Sequence, residues 1–124
     1  MAKFLDLVIG GTAGTIARYI LSGVVYRIMG TAFPYGTLVV NISGCFILGV
    51  LASLLDNKFM FSPDARLLLM IGFCGAFTTF STLIFESDTL IRSGQPIRAF
   101  GNIFFTIILG YILFRVGSLL GEII

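Results

Sequence analysis

Glycines, hydroxyls and phenylalanines interrupt an otherwise apolar segment at residues 72–82, which read GFCGAFTTFST. Inside a bilayer the backbone N–H and C=O groups cannot remain unpaired. A helix weakened in this way persists at membrane depth only where it binds something or lines a cavity. The run therefore predicts a non-helical, polar break in a membrane helix.

Two kinds of ligand fit the chemistry of such a break. Phe77 and Phe80 flank Thr78 and Thr79. The edge of an aromatic ring is electropositive and, like a hydroxyl or an amide N–H, it attracts a small anion without holding it in a charge pair. The backbone carbonyls that a break exposes suit a cation such as sodium instead. The residues alone leave both interpretations open.

Arg18 lies near the middle of the first apolar segment, where a guanidinium costs from a few to more than ten kcal/mol. It either reaches the nearer interface or pairs with a carboxylate, or it gives a positive potential to a water-filled vestibule that attracts anions. Glu86, beyond the hydroxyl cluster, is a candidate for a distant partner of Arg18 or for part of a pore wall.

Two polar rows accompany these residues. Thr37 and Asn41 are four positions apart and so share one helix face, and Asn102, Thr106 and Gly110 repeat at the same interval. An amide in lipid holds helices together at least as often as it binds a ligand. With the hydroxyl-rich break, the two rows predict one narrow passage.

Composition places the chain in lipid and excludes several classes of protein. Hydrophobic residues make up 57% of the 124 positions, charged residues 11%, and the mean hydropathy is +1.06. A net charge of +2 predicts no nucleic-acid partner, and the absence of histidine and of any nucleophile–base or metal-ligand spacing predicts that the chain is not an enzyme. Cys45 and Cys74 are interpreted as packing residues. No removable signal peptide is expected.

Four segments are long enough to cross a hydrocarbon core, which needs about 20 helical residues. We predict helices at 5–29, 37–55, 65–90 and 99–123, forming a single membrane domain over residues 1–124. The short connections contain proline or glycine. Ser62, Pro63 and Asp64 form a helix start with a cap, a first-turn proline and an acid near the positive end of the dipole.

The cations do not favour one orientation in the membrane. One side would hold Lys3, Lys58 and Arg66, and the other would hold Arg27, Arg92 and Arg98. This balance reflects either the noise of small counts or a chain that inserts both ways and pairs as an antiparallel dimer. The pairs Gly10 with Gly14 and Gly117 with Gly121 are small-residue motifs through which such helices would pack.

The chain resembles the Fluc (CrcB) family of fluoride channels over essentially its whole length. The resemblance rests on GGTAG followed by ARY at 10–19, on GTLVVNISG at 36–44, and on GFCG leading into TTFST at 72–82. It implies an all-α membrane protein with four transmembrane helices and a break in the third, assembled as a dual-topology antiparallel homodimer. It also implies two fluoride pores and a central structural sodium ion, held by the backbone carbonyls of Gly75 and Thr78 from both subunits.

The resemblance further implies roles for individual residues and a location in the cell's inner (plasma) membrane as a multi-pass protein among lipids. Arg18 would lie near the vestibule and Glu86 in the pore wall. The residues expected along the fluoride pore are Thr37, Asn41, Phe80, Ser81, Thr82, Leu83 and Thr106.

This sequence departs from the family pattern at two places. Leu83 stands where a second pore phenylalanine is usual, with Phe85 two places further on, and Gly110 replaces a frequent serine. Since each pore would combine one ring from each subunit, Leu83 removes half of the aromatic pair. The chain would then conduct differently or form a heterodimer with a related chain.

The family implies passive export of fluoride that relieves fluoride toxicity. Two alternatives from other classes stay open at this point. A small multidrug-resistance-type, proton-coupled exporter has similar length and topology but needs a carboxylate in the first helix, where this chain has Arg18. A non-transporting assembly subunit would pass no ion at all.

Overall fold

The computed structural model describes residues 1–57 and 62–124, without the side chain of Asn57. Lys58, one of the cations counted above, lies outside the described residues. All regular secondary structure in these ranges is helical. In chain order the elements are α1 Ala2–Met29, α2 Tyr35–Asn57, α3 Pro63–Arg66, a π-helix Leu67–Cys74, α4 Gly75–Phe77, α5 Phe80–Arg92 and α6 Pro96–Ile123.

Four helical stretches in the described ranges are long and apolar enough to cross a membrane. They are Ala2–Met29, Tyr35–Asp56, Pro63–Arg92 and Pro96–Ile123. The first and the last contain 28 residues each, which at 1.5 Å per residue is about 42 Å and exceeds a hydrocarbon core of about 30 Å. The expectation of an all-α membrane protein with four spanning helices is confirmed.

Local chemistry sets where the helices begin and turn. The Ser62 hydroxyl oxygen accepts a hydrogen bond from the Ala65 N–H at 3.2 Å, and Pro63 occupies the first turn of α3. The predicted helix start at Ser62 is therefore confirmed. Gly94, in the turn before α6, has φ +77°, a conformation that residues with a Cβ rarely adopt.

Glycines allow the helices to approach closely. α2 packs along α6, where a Cβ on Gly49 would collide with the Phe114 carbonyl oxygen. A Cβ on Gly117 would collide in the same way with the Phe46 carbonyl oxygen. Because lipid tails remove most of the hydrophobic drive for helix association, this backbone-to-backbone contact is a principal source of packing energy.

The small-residue pairs lie at contacts within the chain. Gly10 faces the Leu68 carbonyl, and Gly14 faces the Phe73 carbonyl, where α1 packs on the π-helix. The expectation that these pairs mark a contact between two subunits is therefore wrong for these faces, because the backbone of the same chain already occupies them. The pair in α6 lies against α2 in the same manner.

Several polar side chains are buried inside the bundle. Many large apolar side chains point away from the bundle and are exposed, whereas six polar side chains of the described ranges are buried between the helices. The buried polar residues are Thr37, Asn41, Ser53, Ser87, Asn102 and Thr106. A polar path therefore has to run between the helices.

The glycine contacts lead to a stability prediction. Gly49→Ile places a branched side chain against the Phe114 carbonyl, so we expect a loss of about 1–3 kcal/mol from overpacking. Gly23→Ala is the control, since nothing lies within 4 Å of a Cβ at that position. Thermal unfolding in detergent, followed by size-exclusion profiles, measures both. Equal unfolding temperatures for the two variants would contradict the packing argument.

Candidate functional site

Two residues with extended backbone separate α4 from α5. Thr78 has φ −89° and ψ 156°, and Thr79 has φ −151° and ψ 116°. Their own hydroxyls support the neighbouring helix ends. Thr78 Oγ1 donates to the Cys74 carbonyl at 2.9 Å, and Thr79 Oγ1 accepts from the Thr82 N–H at 3.2 Å. The Thr78 hydroxyl therefore stabilises the end of the preceding helix, and the Thr79 hydroxyl stabilises the start of α5.

Asn41 of α2 pairs with the backbone of Thr79. Its Oδ1 accepts from the Thr79 N–H at 2.7 Å, and its Nδ2 donates to the Thr79 carbonyl at 3.0 Å. Both polar backbone groups of one extended residue are thus satisfied by one side chain, which is only 7% exposed. Of the two roles considered for this amide, the structure shows the one that holds helices together, and a second amide hydrogen remains beyond the one given to Thr79.

This pairing also changes the environment of Gly75. In a continuous α-helix the Gly75 carbonyl would accept from the Thr79 N–H. Here that N–H donates to Asn41, and Gly75 is exposed. The Gly75 carbonyl is therefore released from its normal helical hydrogen bond, at a position where a Cβ would meet nothing within 4 Å.

Arg18 lies in a cavity of about 230 Å³ between α1, α2 and the start of α5. Hydroxyls dominate the polar part of its wall, which is lined by Thr15, Arg18, Tyr19, Ser22, Thr37, Val40, Thr79 and Thr82. Within the described ranges the salt bridges join Arg66 to Asp56 and Arg92 to Asp88, so neither involves Arg18. The cavity thus combines an unneutralised guanidinium with neutral donors, which suits an anion.

Glu86 is held by hydroxyls from two other helices. Tyr26 donates to Glu86 Oε2 at 3.1 Å, and Thr37 donates to Glu86 Oε1. Thr37 also borders the Arg18 cavity, whereas Glu86 lines a different cavity beside Phe85. The carboxylate is therefore separated from Arg18 by a hydrogen-bonded hydroxyl.

A second cavity of about 230 Å³ lies on the other side of the Asn41–Thr79 pair. It brings together four residues predicted for the pathway, namely Asn41, Phe80, Leu83 and Thr106. The Phe80 ring is 73% exposed, while Leu83 is 2% exposed. Thr79 borders both cavities, so the two meet at the extended segment.

The remaining predicted residues are distributed around these cavities. Thr82 borders the Arg18 cavity, and the Ser81 hydroxyl lies 3.5 Å from Thr79 Oγ1. Phe85 borders the Glu86 cavity and not the one that contains Phe80. Within this chain Phe85 and Phe80 therefore border separate cavities.

Two buried polar atoms of α6 lack a hydrogen-bond partner in the described part of the chain. They are Asn102 Oδ1 and Thr106 Oγ1, one turn apart on the same helix face. Asn102 Nδ2 donates to Ser87 Oγ at 3.0 Å, which fixes the other end of that amide. A buried orphan hydroxyl beside a cavity marks a place for a polar ligand or water.

Sequence reasoning missed four residues of α1 that border these cavities, Thr15, Tyr19, Ser22 and Tyr26. Thr15, Ser22 and Tyr26 stand with Arg18 at intervals of three or four residues, so they share its helix face. That spacing could have identified Thr15, Ser22 and Tyr26 from the sequence. Hydroxyl residues are common in membrane helices, so the row did not stand out.

The Asn41–Thr79 pairing leads to a stability prediction. Asn41→Leu leaves one N–H and one C=O of Thr79 unpaired, and each costs about 1–3 kcal/mol when buried. Thr106→Val is a matched control, because it removes a buried hydroxyl that has no hydrogen-bond partner in the described ranges. Unfolding in detergent should show a clear loss for the first variant and little for the second. An equal loss of stability in both variants would contradict the role of Asn41 as the partner of the Thr79 backbone.

Comparison with known proteins finds relatives over nearly the whole chain. A family model described as "CrcB-like protein, Camphor Resistance (CrcB)" matches residues 5–118. The chain is 44% identical over its full 124 residues to the fluoride-specific ion channel FluC of Maridesulfovibrio salexigens, covering 98% of that protein. It is likewise 44% identical to the FluC of Solidesulfovibrio magneticus, covering 99% of it, and 37% identical to that of Dehalococcoides mccartyi, covering 95%.

Proposed function

The chain belongs to the CrcB family, and on that basis we propose that it is a fluoride-selective ion channel, a multi-pass protein of the prokaryotic plasma membrane that lets fluoride leave the cell passively. The relatives are named ion channels, which are not enzymes. The observation that carries the proposal is the pair of cavities on either side of Thr79. Both are lined by neutral donors, and one contains Arg18 without a paired carboxylate.

The proposed path uses Arg18 to concentrate anions and neutral groups to pass them on. The guanidinium raises the local anion concentration in the vestibule. The Thr82, Ser81 and Thr106 hydroxyls and the Phe80 ring edge then replace water around the ion. Because none of these groups carries a full positive charge, the ion is not held too tightly to leave.

The complete pore is proposed to need two chains. We take the extended segment at Thr78 and Thr79 as the break in the third membrane helix, where it meets the same segment of an antiparallel second copy. The balanced cations described above support insertion in both orientations. Two pores would then run along the dimer, each combining groups from both subunits.

A sodium ion is proposed at the centre of that dimer as a structural cofactor. The Gly75 carbonyl, released when Asn41 takes the Thr79 N–H, and the carbonyl of Thr78 from each chain would hold it. Unwound backbone carbonyls are ligands that sodium accepts readily. The ion would hold together two segments whose carbonyl dipoles otherwise repel.

A heterodimer is the second candidate assembly. Leu83 is buried, and Phe85 borders another cavity, so this chain contributes Phe80 as the aromatic ring of the Asn41 cavity. A related partner chain would supply the missing ring. The distinction is experimental, because both assemblies use the same Asn41, Phe80 and Thr106 wall.

The channel proposal predicts selective efflux from liposomes that contain the purified chain alone. Fluoride should leave rapidly and chloride should not, as measured with ion-selective electrodes. Asn41→Asp should abolish most fluoride flux because a carboxylate repels the anion, and Phe80→Ala should lower it by removing the ring edge. Equal chloride flux would remove the selectivity claim. Flux that appears only with a related chain added would establish the heterodimer.

The sodium proposal predicts a cation requirement. Replacing Na⁺ by N-methylglucamine throughout should lower fluoride efflux and the fraction of dimer on size exclusion, since the carbonyls would lose their shared ligand. Restoring Na⁺ should restore both. If efflux and dimer fraction stay the same after thorough sodium removal, the site does not exist.

A further inference from the structure

Cys45 places a thiol in the wall of the cavity that contains Asn41, Phe80 and Thr106. A Cβ built on Gly110 lies 3.3 Å from Cys45 Sγ, so the sulfur faces α6 at that glycine. Thr106 is one turn earlier on the same face of α6. The thiol is free, and the residue is half-buried and belongs to the wall of this cavity.

The Thr106 hydroxyl supplies a second, independent group at this place. Its oxygen is buried without a hydrogen-bond partner among the described residues, the side chain is 8% exposed, and it lines the same cavity. A buried hydroxyl in this state leaves a place for a polar ligand or a water. A thiol and an orphan hydroxyl together suit a soft metal ion that carries a second, hydrogen-bonding ligand.

We propose that Cys45 and Thr106 form a binding site for thiophilic metal ions, of which Hg²⁺ is the probe, and that occupation of this site closes the pathway. The Cys45 S–H bond breaks, an S–Hg bond forms and the proton passes to the buffer, with no change in oxidation state. Mercury takes a second ligand, a water, hydroxide or halide, which accepts a hydrogen bond from Thr106. Thiolates select soft metals over the hard ions of the surrounding medium.

Cys74 provides the internal comparison, because the sequence contains just these two cysteines. Its side chain is 3% exposed, and it does not line the Asn41 cavity. The same reagent should therefore distinguish the two thiols by access. The inhibition part of the inference rests on the proposed channel function, whereas the binding part does not.

The test treats purified protein in liposomes with Hg²⁺ and measures two quantities. Intact mass should show one mercury bound in the wild type and in Cys74→Ala, and none in Cys45→Ala. Fluoride efflux, compared with the same variant before treatment, should fall to the level of protein-free vesicles in the wild type and Cys74→Ala and persist in Cys45→Ala. Dithiothreitol should restore the flux.

Each contrary result overturns one part of the proposal. Mercury on Cys45→Ala, or none on the wild type, overturns the site, and inhibition of Cys45→Ala overturns the closure. Untreated wild type that passes no fluoride, either alone or with a related chain added, defeats the channel proposal, while the mass result still decides the site. Cys45→Ser replaces the alanine variant if that one does not fold. Thr106→Val should slow mercury uptake, and an unchanged rate removes Thr106 from the site.

Discussion

The structure depends on the requirement that backbone polar groups inside lipid find partners within the protein. Thr78 and Thr79 leave the helical conformation, and one amide side chain satisfies both backbone groups of Thr79. Without such a partner, the extended residues would be far less stable than a continuous helix. Asn41 therefore stabilises the extended conformation of Thr79, where the two cavities meet. The same hydrogen bond takes the Thr79 N–H away from the Gly75 carbonyl.

Close helix packing brings Asn41 within reach of Thr79. One turn beyond Asn41, a Cβ on Gly44 would collide with the Thr78 methyl group and lie 3.2 Å from the Phe77 ring. The glycine gives α2 and the extended segment the room to approach. The glycines at Gly49 and Gly117 fix α2 against α6 in the same way, so Thr106 faces the Asn41 cavity from the other side. Small residues thus determine where the polar groups converge.

Sequence reasoning located the helices and most of the polar residues but not their partners. Periodicity and capping chemistry act between near neighbours, which is why the spans and the Ser62 start were predictable. The decisive hydrogen bonds join residues 38, 49 and 60 positions apart, from Asn41 to Thr79, Thr37 to Glu86 and Tyr26 to Glu86. No local pattern encodes such pairs. The glycine pairs show the same limit, since a small-residue motif predicts close contact without identifying the helix that makes it.

The arrangement around Glu86 is one in which the proposed pathway for anions would tolerate a carboxylate. A direct pair between Glu86 and Arg18 would cancel the positive potential of the vestibule, and burying that pair would carry a large desolvation cost. Hydroxyls from Tyr26 and Thr37 instead bind the carboxylate, and neutral donors stabilise a charge without removing the cation's field elsewhere. Thr37 stands between the carboxylate and the cavity that contains Arg18. In the proposed pathway the guanidinium would remain available to an anion, because the acid in the same bundle is hydrogen-bonded by uncharged groups and does not pair with Arg18.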